Sequence, residues 1–377
     1  METVVQDKLN AVVEKKIADA VERGTATAKE AIERLVIEGK MAKDYIAPIG
    51  NKNSQDNPEI TFSSNGHLNL LMPKTEKEFS MHTNAVGQIA EMFKVPAYYL
   101  QKLAVGTDRE RLLASKILND TSLFTDRSRV LLRSVGGQVR GILSDRYRRM
   151  NTATIIEAFL KEVLEKQGAL LMNGYMSDTR MYLETIHPTT LSIPTAKNGT
   201  VVMAFGCRIS SSDYGDGALD LRSFFVQGIC LNGAVRESLL RQVHLGSKLP
   251  DNIELSEKTY QLDTDTQASA VTDITKKIFS PDFVRMKALE IQGASEMVVD
   301  IDKELKILRK KELKEDEIVE ISKTLMNNNI EDGIQGENSL WKLVQGITAV
   351  SRNAEPQRMR EMQEIAGTLM DRVQVVV

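Results

Sequence analysis

Residues 129–144 read RVLLRSVGGQVRGILS, and this stretch decides the fold that the sequence predicts. Two short runs of alternating character flank Gly136-Gly137, a dipeptide typical of the tight turn between two antiparallel strands. We therefore predict a β-hairpin with strands at 129–135 and 138–144. The prediction matters for function as well, because the hairpin and its flanks, residues 126–149, carry seven of the arginines discussed below.

The segments that follow this hairpin complete an α+β pattern. A helix is predicted from a cap near Asn151 or Thr152 to Gly168, because apolar residues recur along it with helical spacing. Four strands are predicted next, at about 169–176, 180–187, 200–210 and 218–230. After Gly233 the chain is predicted to be helical. This order favours a central antiparallel β-sheet domain over a doubly wound fold, with a helical N-terminal arm and a helical C-terminal region.

The N-terminal segment is predicted to form two helices. Apolar residues recur there every four positions, and Thr27 and Glu30 have the spacing of a capping box at the start of the second helix. These helices pack either on a neighbouring subunit or on their own domain, and the pattern leaves both open. The predicted organisation is a helical arm with a linker at 1–57, an α+β core with a basic sheet at 58–250, and an acidic helical region at 251–377.

The composition excludes several classes of protein. The 377 residues contain 49 Lys+Arg, 52 Asp+Glu and two cysteines, which are too few for a disulfide framework or a zinc cluster. No apolar stretch approaches the ~20 residues of a transmembrane helix, and the N-terminus lacks the apolar region of a secretory signal. We therefore expect a cytoplasmic protein with no membrane partner.

The net charge of −3 hides a strong asymmetry along the chain. Residues 128–250 carry 15 basic and 10 acidic side chains, a balance of +5, whereas residues 251–377 carry 17 and 24, a balance of −7. Arginine offers a planar fork of donors that suits phosphate oxygens, and a tyrosine can stack on an unpaired base. The predicted nucleic-acid contacts are Arg127, Arg129, Arg133, Arg140, Arg146, Tyr147, Arg148 and Arg149, extended by Arg208, Arg222, Arg236, Arg241 and Lys248 if their strands are neighbours.

Other interpretations of these residues stay open. The arginines could be paired with the acidic C-terminal region on a solvated sheet face, or they could bind another anion. Asp213, Asp216 and Asp220 lie close together, as in a site for a hard cation, although a turn is the simpler explanation. Cys207 and Cys230 lie in apolar strand contexts typical of buried thiols, and no phosphate-binding loop is present. The sequence therefore predicts no catalytic residue, cofactor or metal.

Several ordered motifs resemble a family of phage- and plasmid-encoded proteins of the DUF932 type. They are VGGQVRGILSDRYRRMNTATIIEAF at 135–159, SFFVQGICLNGAV at 223–235, RQVHLG at 241–246 and NSLWKLVQGITAV at 338–350. Leu245 and Gln345-Gly346 depart from the family's pattern. The resemblance covers roughly residues 75–365. It implies a mobile-element protein associated with recombination, repair and single-strand binding, and it implies no catalytic residue.

The prediction for function combines the charge pattern with this resemblance. We expect a DNA-metabolism protein of a phage or another mobile element that binds single-stranded nucleic acid, anneals or protects strands, and forms a homo-oligomer through its helical regions. One alternative is a non-enzymatic structural protein or a protein that interacts with host defence. The other is a metal-dependent nuclease that uses the loop from Asp213 to Asp220.

Overall fold

The computed structural model describes residues 2–49, 60–124, 129–144, 147, 150–227, 232–242, 256–327, 334 and 336–373. Over these residues the chain is mixed α+β, with two six-stranded sheets and helices at both ends. The predicted fold class is confirmed, although the strands form two sheets instead of one. The predicted domain boundaries, between 57 and 58 and between 250 and 251, lie outside the described residues.

The first sheet has the strand order β1-β5-β6-β4-β3-β2. Its strands are β1 (Ala42–Pro48), β2 (Thr61–Ser63), β3 (Asn69–Met72), β4 (Lys77–Met81), β5 (Arg129–Val135) and β6 (Gln138–Ser144). Three helices cover one face: α2 (Thr83–Met92), α3 (Ala97–Ala104) and α4 (Asp108–Ser122). All strand pairs are antiparallel except β4 with β6.

The predicted hairpin is β5 with β6. Gly136 and Gly137 have φ values of +57° and +85°, which the tight hairpin turn requires and which glycine adopts without steric cost. Val130 and Leu132 of β5 are buried against α2, α3 and α4. Because side chains alternate along a strand, Arg133 of β5 points to the opposite face. That face is covered by the end of the N-terminal helix and by the loop around residue 214.

The second sheet has the order β12-β11-β10-β8-β7, with β9 also paired to β10. Its strands are β7 (Leu170–Met176), β8 (Met181–Ile186), β9 (Leu191–Thr195), β10 (Gly199–Ser211), β11 (Leu219–Gln227) and β12 (Asn232–Gln242). All pairs are antiparallel. Helices α5 (Thr152–Leu160, continued by a π-helical turn at Lys161–Lys166) and α6 (Glu257–Ile278) pack on Cys207, Ile209 and Leu221 of this sheet.

Strand β12 corrects the prediction that the chain turns helical after Gly233. The strand lies at the edge of the described sheet, and its pairing with β11 shifts register twice between Leu221 and Phe224. Such irregularities interrupt the alternation of side chains, so the segment lacks the strict two-residue period of a strand. The short strand β9 was also not predicted.

The N-terminal segment is one continuous 40-residue helix, α1 (Glu2–Met41), and not two helices. The hydroxyl of Thr27 does not cap a second helix but donates to the carbonyl oxygen of Gly24 at 2.9 Å. The helix packs on β7 of its own chain, so closely that a Cβ on Gly24 would lie 1.6 Å from the carbonyl oxygen of Met172. Of the two open alternatives, the structure therefore shows packing on its own domain.

The C-terminal region is helical, as predicted. It contains α7 (Pro281–Glu296), α8 (Ile301–Lys311), α9 (Glu315–Met326), α10 (Leu340–Ser351) and α11 (Pro356–Leu369). Leu343, Val344 and Ile347 of α10 share one apolar core with Met203 and Phe225 of the second sheet. Within the described ranges, no helix is long and apolar enough to cross a membrane.

Candidate nucleic-acid interface

Two arginines of the β5–β6 hairpin, Arg133 and Arg140, are held in partly buried and buried ion pairs. The Nε of Arg133 lies 2.9 Å from the Asp44 carboxylate on β1, directly across the strand pair, and its Nη1 donates to the carbonyl oxygen of Asp213 at 2.8 Å. Arg140 is only 9% exposed and donates from both terminal nitrogens to the Glu38 carboxylate of α1. These two guanidinium groups therefore bond within the protein and are not presented on an exposed basic face.

Tyr147 is half-buried beside the same cluster. Its hydroxyl donates to the carbonyl oxygen of Ser212 at 3.3 Å, and burial raises its pKa. The ring is therefore not presented as an open stacking platform. Arg129 is half-buried at the start of β5. The side chain of Arg236 lies outside the described part of the structure. The same holds for five other predicted contacts: Arg127, Arg146, Arg148, Arg149 and Lys248.

The structure does bring together the three predicted arginines of the second sheet. Arg208 on β10 lies opposite Arg222 on β11. Arg241 on β12 lies opposite Asp220 of β11, and Asp220 is two residues before Arg222 on the same face of the sheet. All three line a cleft of about 440 Å³. We call it the arginine cleft; its lining residues are Arg180, Tyr182, Arg208, Ser210, Gly217, Ala218, Asp220, Arg222, Arg241, Gln357, Arg360, Glu361 and Glu364.

The cleft is built by one sheet face and one helix. On the sheet, Tyr182, Ser210 and Asp220 form a cross-strand row, and Arg208 and Arg222 belong to the row next to it. On the other side, α11 begins at a proline, whose fixed φ suits the first turn of a helix, and runs against β12. Residues 357, 360, 361 and 364 of α11 share one helical face, which closes the cleft.

Two of the cleft arginines have carboxylate partners. Arg208 is 3% exposed, and its Nε donates to Glu184 at 2.7 Å while Nη2 donates to Gln363 at 2.6 Å. Arg222 lies between Asp220, at 2.6 Å, and Glu364, at 3.1 Å. The charges of these two guanidinium groups are thus largely compensated, although Nη1 of Arg208 is buried and donates to no acceptor among the described residues.

Arg360 and Arg180 lack such partners within the part of the chain that the structure describes. Arg360 is only 7% exposed, and its guanidinium carbon lies 3.9 Å from the centroid of the Tyr182 ring. Burial lowers the pKa of Arg360 and the charge of Arg208 lowers it further, although the nearby Glu184 carboxylate, which accepts from Arg208, opposes both effects. Arg180 also lies over Tyr182, at 4.9 Å, and donates to the hydroxyl of Ser210. A buried cation with no carboxylate in direct contact is costly, so an anion in the cleft would be stabilised.

The three aspartates of the loop after β10 do not converge. Asp213 accepts from the backbone and the hydroxyl of Thr152 at the start of α5, at 3.2 and 2.7 Å. Asp216 accepts from the hydroxyl of Thr179, and Asp220 pairs with Arg222. Among the described residues, no group of three or more His, Cys, Asp or Glu side chains is placed to hold a metal ion. The loop therefore acts as a structural junction.

Cys207 has the environment of a buried hydrophobic residue. It is fully buried in the core beneath α5 and α6, and this burial raises the pKa of its thiol to about 12. A thiol with such a pKa holds almost no nucleophilic thiolate at neutral pH. Cys230 lies outside the described residues.

Comparison with known proteins adds no identity. No protein-family model, no curated protein and no solved structure matches the chain. The resemblance to the DUF932-type family stays a prediction.

Proposed function

We propose that this protein binds single-stranded nucleic acid at the arginine cleft and serves the DNA metabolism of a phage or another mobile element. The observation that carries the proposal is Arg360, a buried guanidinium on an aromatic ring, with no carboxylate partner among the described residues, in a cleft with four further arginines. The proposed contact therefore lies on the second sheet and not on the β5–β6 hairpin.

The balance of charge in the cleft favours a phosphate ligand. Three of its arginines, Arg180, Arg241 and Arg360, form no ion pair within the described residues. Of the acidic lining residues, Glu361 forms an ion pair with Arg358 at 2.7 Å. The other two, Asp220 and Glu364, form ion pairs with Arg222. The guanidinium fork matches the oxygens of phosphate, and it binds them more strongly where water is excluded.

The size and the aromatic residues of the cleft favour a single strand. A volume of about 440 Å³ is in the range of pockets that enclose one small ligand, and a rigid duplex cannot enter it. Tyr175, 46% exposed, lies directly across the β7–β8 pair from Tyr182. Bases without a pairing partner stack on such rings, and this contact tolerates any sequence.

Fluorescence anisotropy with an internally labelled single-stranded oligonucleotide tests the proposal. We expect the affinity to fall as salt rises from about 50 to 200 mM, because each neutralised phosphate releases counterions. The double variant Arg180→Gln/Arg241→Gln should weaken binding by about ten-fold or more, since charge-assisted bonds to phosphate contribute about 1.5–3 kcal/mol.

The matched control is Arg109→Gln, an exposed arginine on α4 beside the first sheet. Combined with Arg285→Gln at an exposed position of α7, it removes the same two charges from the protein but leaves the cleft intact, and its affinity should equal that of the wild type. Absence of binding by the wild type at low salt refutes the proposal, as does an equal loss in the cleft and control variants. Light scattering on the same samples tests the accompanying proposal of a homo-oligomer.

The alternative of a non-enzymatic interaction protein has one supporting observation. Arg222 is paired with Glu364 of the acidic C-terminal region, as that interpretation expects, and Arg208 bonds to Gln363. If these contacts serve only the fold, no oligonucleotide will bind at any salt concentration, and the cleft variants will lower only the thermal stability.

A further inference from the structure

We propose that the arginine cleft receives the phosphorylated end of a nucleic-acid strand, a terminal phosphomonoester, in preference to the phosphodiesters along the chain. This inference rests on the proposed function, because it specifies which part of the strand the cleft binds. It follows from the depth of the arginines, from their charge balance, and from the position of the neighbouring tyrosines.

The depth of the cleft favours an end over a continuous strand. Arg208 and Arg360 are 3% and 7% exposed, so their guanidinium groups form an inner wall. A continuous strand has to enter and leave, and its phosphates therefore stay near the surface. A chain end can be inserted and brings its phosphate to the inner wall.

Three buried N–H groups of the cleft arginines have no hydrogen-bond acceptor among the described residues. Nε of Arg180, Nη1 of Arg208 and Nε of Arg360 are each shielded from solvent without an acceptor among the described residues. Buried donors of this kind carry the full cost of lost hydration. A terminal phosphate has three free oxygens, whereas a diester has two, so it can satisfy more of the donors in this wall through direct contact or slight rotation of the side chains.

The charge of the ligand also matches. A phosphomonoester carries about −1.5 to −2 at pH 7, against −1 for a diester. The cleft has three arginines, Arg180, Arg241 and Arg360, that form no ion pair with described residues, and Arg360 is held close to a second cation, Arg208. A divalent anion compensates this arrangement better than a monovalent one.

The tyrosines are placed to hold the nucleotide that follows. Arg360 lies 5.4 Å from the ring centroid of Tyr175, which is 46% exposed at the edge of the cleft. A phosphate bound at Arg360 therefore places the terminal base within reach of an open aromatic face. Stacking there would orient the strand so that it leads away from the cleft.

Anisotropy with three oligonucleotides of identical sequence tests the inference. One carries a 5′-phosphate, one a 3′-phosphate and one hydroxyls at both ends, and the label is internal in each. We expect one phosphorylated end to bind about ten-fold tighter than the hydroxyl-ended strand, and a circular single strand to compete as weakly as the latter. The difference in affinity should shrink as the pH falls below about 6, where the monoester loses its second charge, and should stay nearly constant above pH 7.

Two variants locate the effect, and circular dichroism establishes that each is folded. Arg360→Gln should bring the ratio between phosphorylated and hydroxyl-ended affinity close to one, and Arg241→Gln, at an exposed position on β12, should reduce it. Equal affinity of the wild type for all three linear strands overturns the inference but leaves the proposed function standing. Absence of binding to every strand refutes the proposed function itself.

Discussion

Replacing Glu38 by glutamine tests whether the arginines of the β5–β6 hairpin are structural. Glu38 is 7% exposed and accepts from Arg140 and, at 2.8 Å, from Arg34. Its loss leaves the Arg140 charge in a site that is 9% exposed, with the carbonyl oxygen of Asp178 at 3.0 Å as a neutral partner. Removing one member of a buried ion pair costs about 3–5 kcal/mol. Because glutamine still offers a carbonyl oxygen, we expect a loss of about 3 kcal/mol in the free energy of unfolding.

Urea denaturation followed by circular dichroism measures this loss. The matched control is Glu320→Gln, because Glu320 pairs with Lys323 on the surface of α9 and its side chain is 56% exposed. An exposed pair contributes at most about 1 kcal/mol, so the control should lie near the wild type. A change of less than about 1 kcal/mol in Glu38→Gln would show that the Arg140 charge is solvated, contrary to our reasoning.

The double variant Glu38→Leu/Arg140→Met separates structure from binding. Replacing both members of a buried pair by apolar residues is often neutral or stabilising, by about 1–4 kcal/mol. We expect this variant to be at least as stable as Glu38→Gln and to bind oligonucleotides with unchanged affinity. A loss of affinity as large as that of the cleft variants would return the nucleic-acid contact to the hairpin.

Three further predictions concern other parts of the molecule. Burial lowers the pKa of His82 from its ordinary value of 6.5. As the pH drops below that value, the unfolded chain takes up the proton first, so the stability of the folded protein falls. The variant His82→Asn keeps a capping side chain at α2 and should flatten the pH dependence of the urea midpoint between about pH 8 and pH 5. Gly24→Ala places a Cβ 1.6 Å from a strand carbonyl oxygen and should lower the melting temperature, whereas Gly39→Ala meets nothing within 4 Å and should not. Glu364→Gln frees Arg222 from a half-exposed ion pair and should strengthen oligonucleotide binding by up to about five-fold, and unchanged affinity would place the ligand elsewhere.

The features that the sequence predicts correctly are those set by contiguous residues. The β5–β6 turn follows from Gly136-Gly137, whose positive φ values no other pair adopts as easily. The start of α5 follows from Asn151, whose side chain accepts from the backbone N–H groups of Ala153 and Thr154. In both cases the physical cause lies within four residues, so no knowledge of the packing is needed.

The errors arise where packing overrides a local signal. Thr27 and Glu30 have the spacing of a helix cap, yet Ala28, Ala31 and Leu35 are buried in the core of the second sheet, and this burial keeps α1 continuous. Strand β12 was predicted as helix because its own sequence carries no strand signal. Its stability comes from pairing with β11 and from contact with α11, which lie elsewhere in the chain.

The candidate site was predictable only in part, for the same reason. Arg208, Arg222 and Arg241 are predicted to extend the arginines of β5 and β6 if their strands are neighbours. Strands β10, β11 and β12 are neighbours of one another, but they lie in the second sheet and β5 and β6 lie in the first. Arg180 and Arg360 were missed, since one comes from the turn before β8 and the other from α11. No spacing within the chain connects them, and their partnership exists only through the shared ring of Tyr182.

The density of arginines along a chain therefore does not decide where an anion binds. In the densest segment, Arg133 and Arg140 each meet a carboxylate that the fold supplies from β1 or α1, and their charge is compensated within the protein. In the arginine cleft the fold supplies carboxylates to Arg208 and Arg222 but, among the described residues, none to Arg360. What distinguishes a binding cation from a structural one is the carboxylate that the tertiary structure does or does not place beside it. The contrasting outcomes expected for Glu38→Gln, which loses stability, and Glu364→Gln, which gains affinity, test this distinction with the same chemical change.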